Sequence, residues 1–196
     1  MQIIGITGTN GAGKGTVVDI LKDKFEYTHF SVREFLTREL RKRDLEINRA
    51  NMRKLANELR EQYGPGYIVK ELYREALQFG KPCIIESIRC IGEIDALEEI
   101  ARETQSNFLM LGVDADPEIR YERSVKRKSE LDDVSLEEFK ELEEAEMRST
   151  DPGKQNLGKC IQRCEKIFNN NGTMDELKES VIEFMIEGNI ETSQVN

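Results

Sequence analysis

The segment with the clearest chemistry lies close to the start of the chain. Gly8-Thr9-Asn10-Gly11-Ala12-Gly13-Lys14-Gly15-Thr16 fits the pattern G-x-x-x-x-G-K. Glycine opens backbone conformations closed to other residues, so successive N–H groups can converge on one anion. The N-terminus of a following helix adds partial positive charge, and the lysine reaches the outer oxygens of a polyphosphate. Apolar Ile3-Ile4-Gly5-Ile6 before the loop and the helical stretch Val17–Phe25 after it supply the strand and helix that this cradle needs. A nucleoside triphosphate is therefore expected on Asn10, Gly11, Ala12, Gly13, Lys14, Gly15 and Thr16. Gly15 stands directly after the lysine, where a Ser or Thr would place its hydroxyl on Mg²⁺, and Thr16 comes one position later. A metal would then lean on phosphate oxygens and water, with Thr16 and a water held by Glu86 as the protein's contribution.

Further chemistry-bearing residues follow the third and fourth apolar runs. Glu86 closes Ile84-Ile85-Glu86, which sets a carboxylate at a strand end where it can hold a metal-bound water. Arg89 offers a planar fork suited to a second phosphate, or else a surface ion pair. Asp116-Pro117 opens a helix bearing Arg120, Arg123, Lys126, Arg127 and Lys128. Arg123 and Arg127, four apart, share a helix face. Clustered arginines suit phosphoryl transfer, in which the protein's work is positioning and charge stabilisation. The plainer alternative pairs them with Glu118, Glu122 and Glu130 on a solvated face. No N-K-x-D signature of base-reading switch GTPases occurs.

The loop form G-x-x-G-x-G-K-G-T resembles that of the adenylate kinase type of P-loop kinase. Two more stretches are similar to the nucleoside monophosphate kinases. His29-Phe30-Ser31-Val32-Arg33-Glu34-Phe35-Leu36 resembles their second-strand segment, with Val32, Arg33 and Glu34 in place of Thr, Gly and Asp. Thr37 stands where an Arg for the acceptor phosphate is usual, and Arg38 follows it. Ile84 to Glu93 resembles the third-strand end D-G-[FY]-P-R with its downstream Gln, one residue shorter between Glu86 and Arg89. That stretch is also similar to dephospho-CoA kinase-like proteins. The resemblance implies Ser31 and Arg38 (or Arg33) at the acceptor, Arg89 on its phosphate, Glu93 on its base and Glu86 near Mg²⁺. It implies Arg123 and Arg127 on the transferring group at the base of a lid. Lys166 to Thr173 is the turn whose backbone faces the ATP base in such kinases, or simply an Asn/Gly turn with Thr173 as a helix cap.

The activity so implied moves the γ-phosphoryl of Mg·ATP to a phosphate-bearing small molecule, a nucleoside monophosphate being the expected acceptor. Lys14, Arg123 and Arg127 are the expected catalytic residues. An anionic acceptor needs no general base. Two alternatives stand beside this reading. One is a hydroxyl acceptor, dephospho-CoA-like or a nucleoside, with Glu34 or Glu86 as base. The other is a nucleotide-switch ATPase or assembly factor acting on a protein partner.

Positioning these residues requires a particular set of elements. Apolar runs at Gln2–Thr7, Thr28–Ser31, Pro82–Glu86, Asn107–Val113 and Glu165–Asn169 read as buried strands. Between them apolar residues recur every three or four positions, as in Met52/Leu55/Ala56/Leu59/Tyr63, Ile91/Ile94/Leu97/Ile100 and Met174/Leu177/Val181/Phe184. The expected fold is α/β: a doubly wound, parallel, five-stranded sheet with helices on both faces, the P-loop nucleoside triphosphate hydrolase architecture. Ser135 and Glu138 form a capping box. Residues 1–196 read as one P-loop kinase domain. It carries a helical, acceptor-binding insertion at 32–79, broken at Gly64-Pro65-Gly66, and a lid-like region at 120–158.

Composition narrows the partners. The 196 residues carry a formal net charge of −9, which disfavours nucleic acid as the main partner. No stretch approaches the roughly 18 consecutive apolar residues of a membrane span. Four cysteines (Cys83, Cys90, Cys160, Cys164) form no disulfide framework, and the single histidine, His29, excludes a His-rich metal site. The opening residues lack a basic start and long apolar core, so a cytoplasmic protein, monomer or weak dimer, is expected.

Overall fold

The computed structural model describes residues 1–126, 135–148 and 155–193. In order, the elements are β1 (Gln2–Gly8), α1 (Lys14–Phe25), β2 (Thr28–Ser31), α2 (Val32–Lys42), α3 (Arg49–Tyr63), α4 (Tyr67–Leu77), β3 (Cys83–Glu86), α5 (Ile91–Glu103), β4 (Asn107–Asp114), α6 (Pro117–Lys126), α7 (Leu136–Met147), α8 (Leu157–Gln162), β5 (Lys166–Asn169) and α9 (Met174–Ser193). Arg127, Lys128 and Glu130 lie outside the described residues, as does the loop from Ser149 to Gly153.

Five parallel strands form one sheet in the order β2-β3-β1-β4-β5. Side chains alternate across a strand, and the apolar runs divide accordingly. Ile3, Cys83, Ile85 and Met110 face a core built with α2 to α5 and Cys160 of α8. Ile4, Ile6, Ile84, Leu111 and Val113 face a second core with α1 and α9. A sheet buried on both faces explains why its strands read as unbroken apolar runs.

Residues 32–79 form three helices, with Gly64 at φ +96° ending α3 before Pro65. Ser31 caps α2 by accepting from the Glu34 N–H, and Asn48 caps α3 through the Asn51 N–H. Two positions depart from the expected apolar faces. Tyr63 is 55% exposed and stacks on Tyr67 with ring centroids 4.6 Å apart. Met174, in the first turn of α9, is exposed, whereas Leu177 and Val181 are buried.

With every strand parallel, all carboxyl ends meet one edge of the sheet. The chain runs from β1 toward β2 and β3 on one side, then toward β4 and β5 on the other. The loop after β1 therefore lies at the switch point, where folds of this kind open a crevice. All four cysteines are free, and no helix among the described residues is long and apolar enough to cross a membrane.

Candidate functional site

At this edge the loop 9–13 leaves β1 and enters α1. Gly13 precedes the helix at φ +100°, and a Cβ there would lie 2.3 Å from Asn170 Nδ2. Gly11 has φ +79°, and its Cβ would lie 2.4 Å from the Arg120 carbonyl oxygen. Both positions thus require glycine twice over, for conformation and for space. With glycine before it, α1 has no side-chain cap, and its first turn carries no acidic residue. Those first-turn N–H groups and the helix dipole are suited to an anion. Lys14 Nζ folds across the loop, donating to the carbonyls of Gly8 at 3.0 Å and Thr9 at 2.8 Å.

Neighbouring strands brace the loop. Thr9 Oγ1 donates to Asp114 Oδ1 at 2.6 Å. Asn170 Nδ2 donates to the Ala12 carbonyl at 2.8 Å, and the Asn170 N–H to the Asp114 carbonyl at 2.7 Å. Arg123 donates to the Asn170 carbonyl at 2.8 Å, which places it on the β5 side of the loop. Arg120 is the buried member of the basic helix, 3% exposed. Its Nε donates to the Ala115 carbonyl at 2.6 Å and its Nη1 to the Asn10 carbonyl at 3.4 Å. Its fork also grips the Glu143 carboxylate, with Nη2 to Oε2 at 2.8 Å. Neither Asn170 nor Arg120 stood out as a site residue in the sequence. The available signals were an Asn just past a strand end, and an arginine one turn after Asp116-Pro117.

On the other flank, Glu86 ends β3 beside Ser31 at the end of β2. Ser31 Oγ donates to Glu86 Oε2 at 3.2 Å, and Ser87 Oγ to Oε1 at 2.7 Å. His29 Nε2 stands 3.8 Å from Oε2, beyond hydrogen-bond range. It is enclosed, with no hydrogen-bond partner among the described residues. Burial alone would push the Glu86 pKa up. His29, the charge of Lys14 and the Ser87 hydroxyl outweigh it and hold the carboxyl at about 2. An ionised carboxylate of this kind suits a hard, oxygen-seeking cation and makes a poor proton acceptor at neutral pH.

This shift carries a testable sign. The folded value of about 2 lies below the ordinary 4.5. The resulting stability is therefore complete above about pH 5 and lost as pH falls toward 2, amounting to about 3 kcal/mol. Glu86→Gln is expected to flatten that part of the acid dependence. Urea midpoints measured across the window check it, and parallel curves for variant and wild type would contradict it.

The structure gives three acceptor-side residues the following partners. Arg38 is on the exposed face of α2, paired with Glu75 of α4 at 2.6 Å, and is not gathered with Ser31 and Glu86. Arg89 follows β3 as expected, but its guanidinium is paired with Glu146 of α7. Glu93 is wholly buried and cannot read a base. Its Oε1 accepts from Arg60 Nη2 at 2.8 Å and Nε at 3.3 Å, and its Oε2 from the N–H groups of Arg89 at 2.9 Å and Cys90 at 3.2 Å. Those four bonds fill the lone pairs of a carboxylate.

A five-stranded parallel sheet of this order, with the glycine–lysine loop after its central strand, defines a P-loop kinase-like fold. The chain belongs to the AAA-domain family, whose model matches residues 7–140, and to the UPF0200 proteins, one of which, from Methanocaldococcus jannaschii, is 30% identical over 150 residues, covering 75% of this chain and 73% of that protein. A UPF0200 protein of Thermococcus kodakarensis is 26% identical over 183 residues, with 92% of this chain and 94% of the relative covered. Among solved structures, a Thermus thermophilus protein superposes with a TM-score of 0.61 at 21% identity, covering 95% of this chain and 97% of its own. Shikimate kinase from Aquifex aeolicus gives 0.53 at 18% identity, covering 96% and 98%. At these identities the likeness shows the fold.

Proposed function

We propose that the protein is an ATP-dependent small-molecule kinase that passes the γ-phosphoryl of Mg·ATP to a phosphate-bearing acceptor, a nucleoside monophosphate. The observation carrying this reading is the uncapped start of α1 with Lys14 folded across the glycine loop at the switch point. The sugar kinase and the shikimate kinase among the structural neighbours support a small-molecule kinase and leave the acceptor to the site's own residues. Loop N–H groups from Asn10 to Thr16, together with Lys14, hold the donor's phosphates. Arg123, with Arg127, stabilises the group in transfer. Ser31 and Arg89 hold the acceptor, the insertion at 32–79 covers it, and residues 120–158 serve as a lid. Mg²⁺ fits the oxygen chemistry of Thr16 and of ionised Glu86, the latter acting through water. Bound there, it would offset charge on the outer phosphates.

A hydroxyl acceptor would call on Glu34 or Glu86 as base, and the depressed pKa makes Glu86 a weak one. A panel of nucleoside monophosphates, nucleosides and dephospho-CoA, with products identified by mass, tests the reading. Phosphorylated monophosphate is the expected product. ATP hydrolysis unaffected by every acceptor would overturn the proposal and favour a nucleotide switch.

Arg123→Ala is expected to lower kcat by about tenfold or more while changing the KM for ATP far less, because charge on the moving group develops in the transition state. Steady-state kinetics beside a melting curve check it. A lower melting temperature with unchanged kcat would make Arg123 a brace for Asn170 only.

A further inference from the structure

One face of α7 carries Phe139, Glu143 and Glu146, spaced i, i+4 and i+7. Phe139 is buried, set edge-on to Tyr121 at 5.7 Å and lying under the Arg120 guanidinium at 5.9 Å. From that seat Glu143 reaches Arg120, beside the phosphate loop, and Glu146 reaches Arg89, beyond β3. A single helix face thus sets one carboxylate on an arginine at each flank of the site.

The two pairs differ in kind. Arg120 is buried and also bonds two backbone carbonyls, which makes it a fixed brace. Arg89 and Glu146 keep 23% and 22% of their side-chain surface, and their contact is a single Nη1–Oε2 pair. A half-buried pair held by one bond, with no backbone carbonyl bonded to it among the described residues, is easier to exchange than the Arg120 brace. A phosphate dianion offers a guanidinium more charge and more acceptor oxygens than one carboxylate does. A monoanion would replace like with like and leave Glu146 unpaired beside it.

We propose that Glu146 is an internal competitor that occupies Arg89 until a phosphate ester displaces it. It raises the threshold for every anion alike, so that only one binding Arg89 strongly, such as a phosphomonoester, takes the site. This inference rests on the reading of Arg89 as the acceptor's phosphate ligand.

Calorimetric titration of wild type, Glu146→Gln, Arg89→Ala and the double variant tests both levels. The probes are inorganic phosphate, acetate and the 5′-monophosphates of adenosine, guanosine and cytidine, at low salt. Glu146→Gln is expected to tighten the best phosphate ligand about fivefold or more, and acetate by a similar factor. The same change made in Arg89→Ala should have no effect on affinity, which a merely structural Glu146 would not produce. Equal affinity in wild type and Glu146→Gln, with weaker binding in Arg89→Ala, overturns the competition and keeps Arg89 as the phosphate ligand. Unchanged affinity in Arg89→Ala overturns the acceptor reading together with the inference.

Discussion

Lys14→Ala is expected to cut turnover by at least about a hundredfold, the scale for removing one preorganised charge from a transition state. Fold stability should fall only by the share of the Glu86 shift that the Lys14 charge supplies. The bonds of Lys14 include two to carbonyls of its own loop, Gly8 and Thr9. Those carbonyls hold the ammonium across the loop. When polyphosphate arrives, the same group can swing onto it without a backbone rearrangement. Lys14→Arg should not restore the rate, since a planar fork does not replace a compact ammonium in so tight a loop. Turnover assays combined with a thermal melt check this. A folded Lys14→Ala protein with wild-type kinetics would remove the basis for the kinase proposal.

The largest loss of stability is expected at Arg60, whose partner Glu93 fixes the backbone just past the carboxyl end of β3. Arg60→Ala would leave the Glu93 carboxyl wholly buried and short of two of its four donors. Breaking a buried pair from one side costs about 3–5 kcal/mol. Arg60→Met restores volume but not charge, so it should cost nearly as much, which separates electrostatics from packing. Denaturant midpoints measure both. A loss below about 1 kcal/mol in either variant would mean that water or a proton relieves Glu93. Because Glu93 ties the N–H groups of Arg89 and Cys90, the start of α5 should loosen with it. The ranking of acceptors should not change in a folded Glu93→Gln protein.

The sheet and the phosphate loop were legible in the sequence for a simple reason. Strands buried on both faces must be apolar throughout, and a backbone cradle must be glycine-rich, so composition alone exposes them. All five strand positions follow from such runs, with ends shifted by no more than about one residue at either side. The acceptor flank was less legible because its side chains take their meaning from other elements. Glu93 resembled a base reader in linear order, yet α3 lies across it and supplies Arg60. A hint was present, since Ala56 and Arg60 are four apart and place a charge in the apolar stripe of α3. Arg38 and Arg89 were legible as cations, but their partners, Glu75 and Glu146, lie 37 and 57 positions away. Charge pairing over such distances leaves no periodic trace.

The placement of β1 at the centre of the sheet bears on how the chain is made. Ile4 lies between Ile84 and Leu109, so β1 has no neighbour on either side until the later β3 and β4 segments leave the ribosome. Both of its pairings are non-local, the kind that delays collapse into the native topology. During that interval Ile3-Ile4-Gly5-Ile6 is a bare apolar strand with two open edges, the type of surface on which nascent chains associate wrongly. Translation speed and chaperone supply should therefore govern the yield of this protein more than the stability of its finished form.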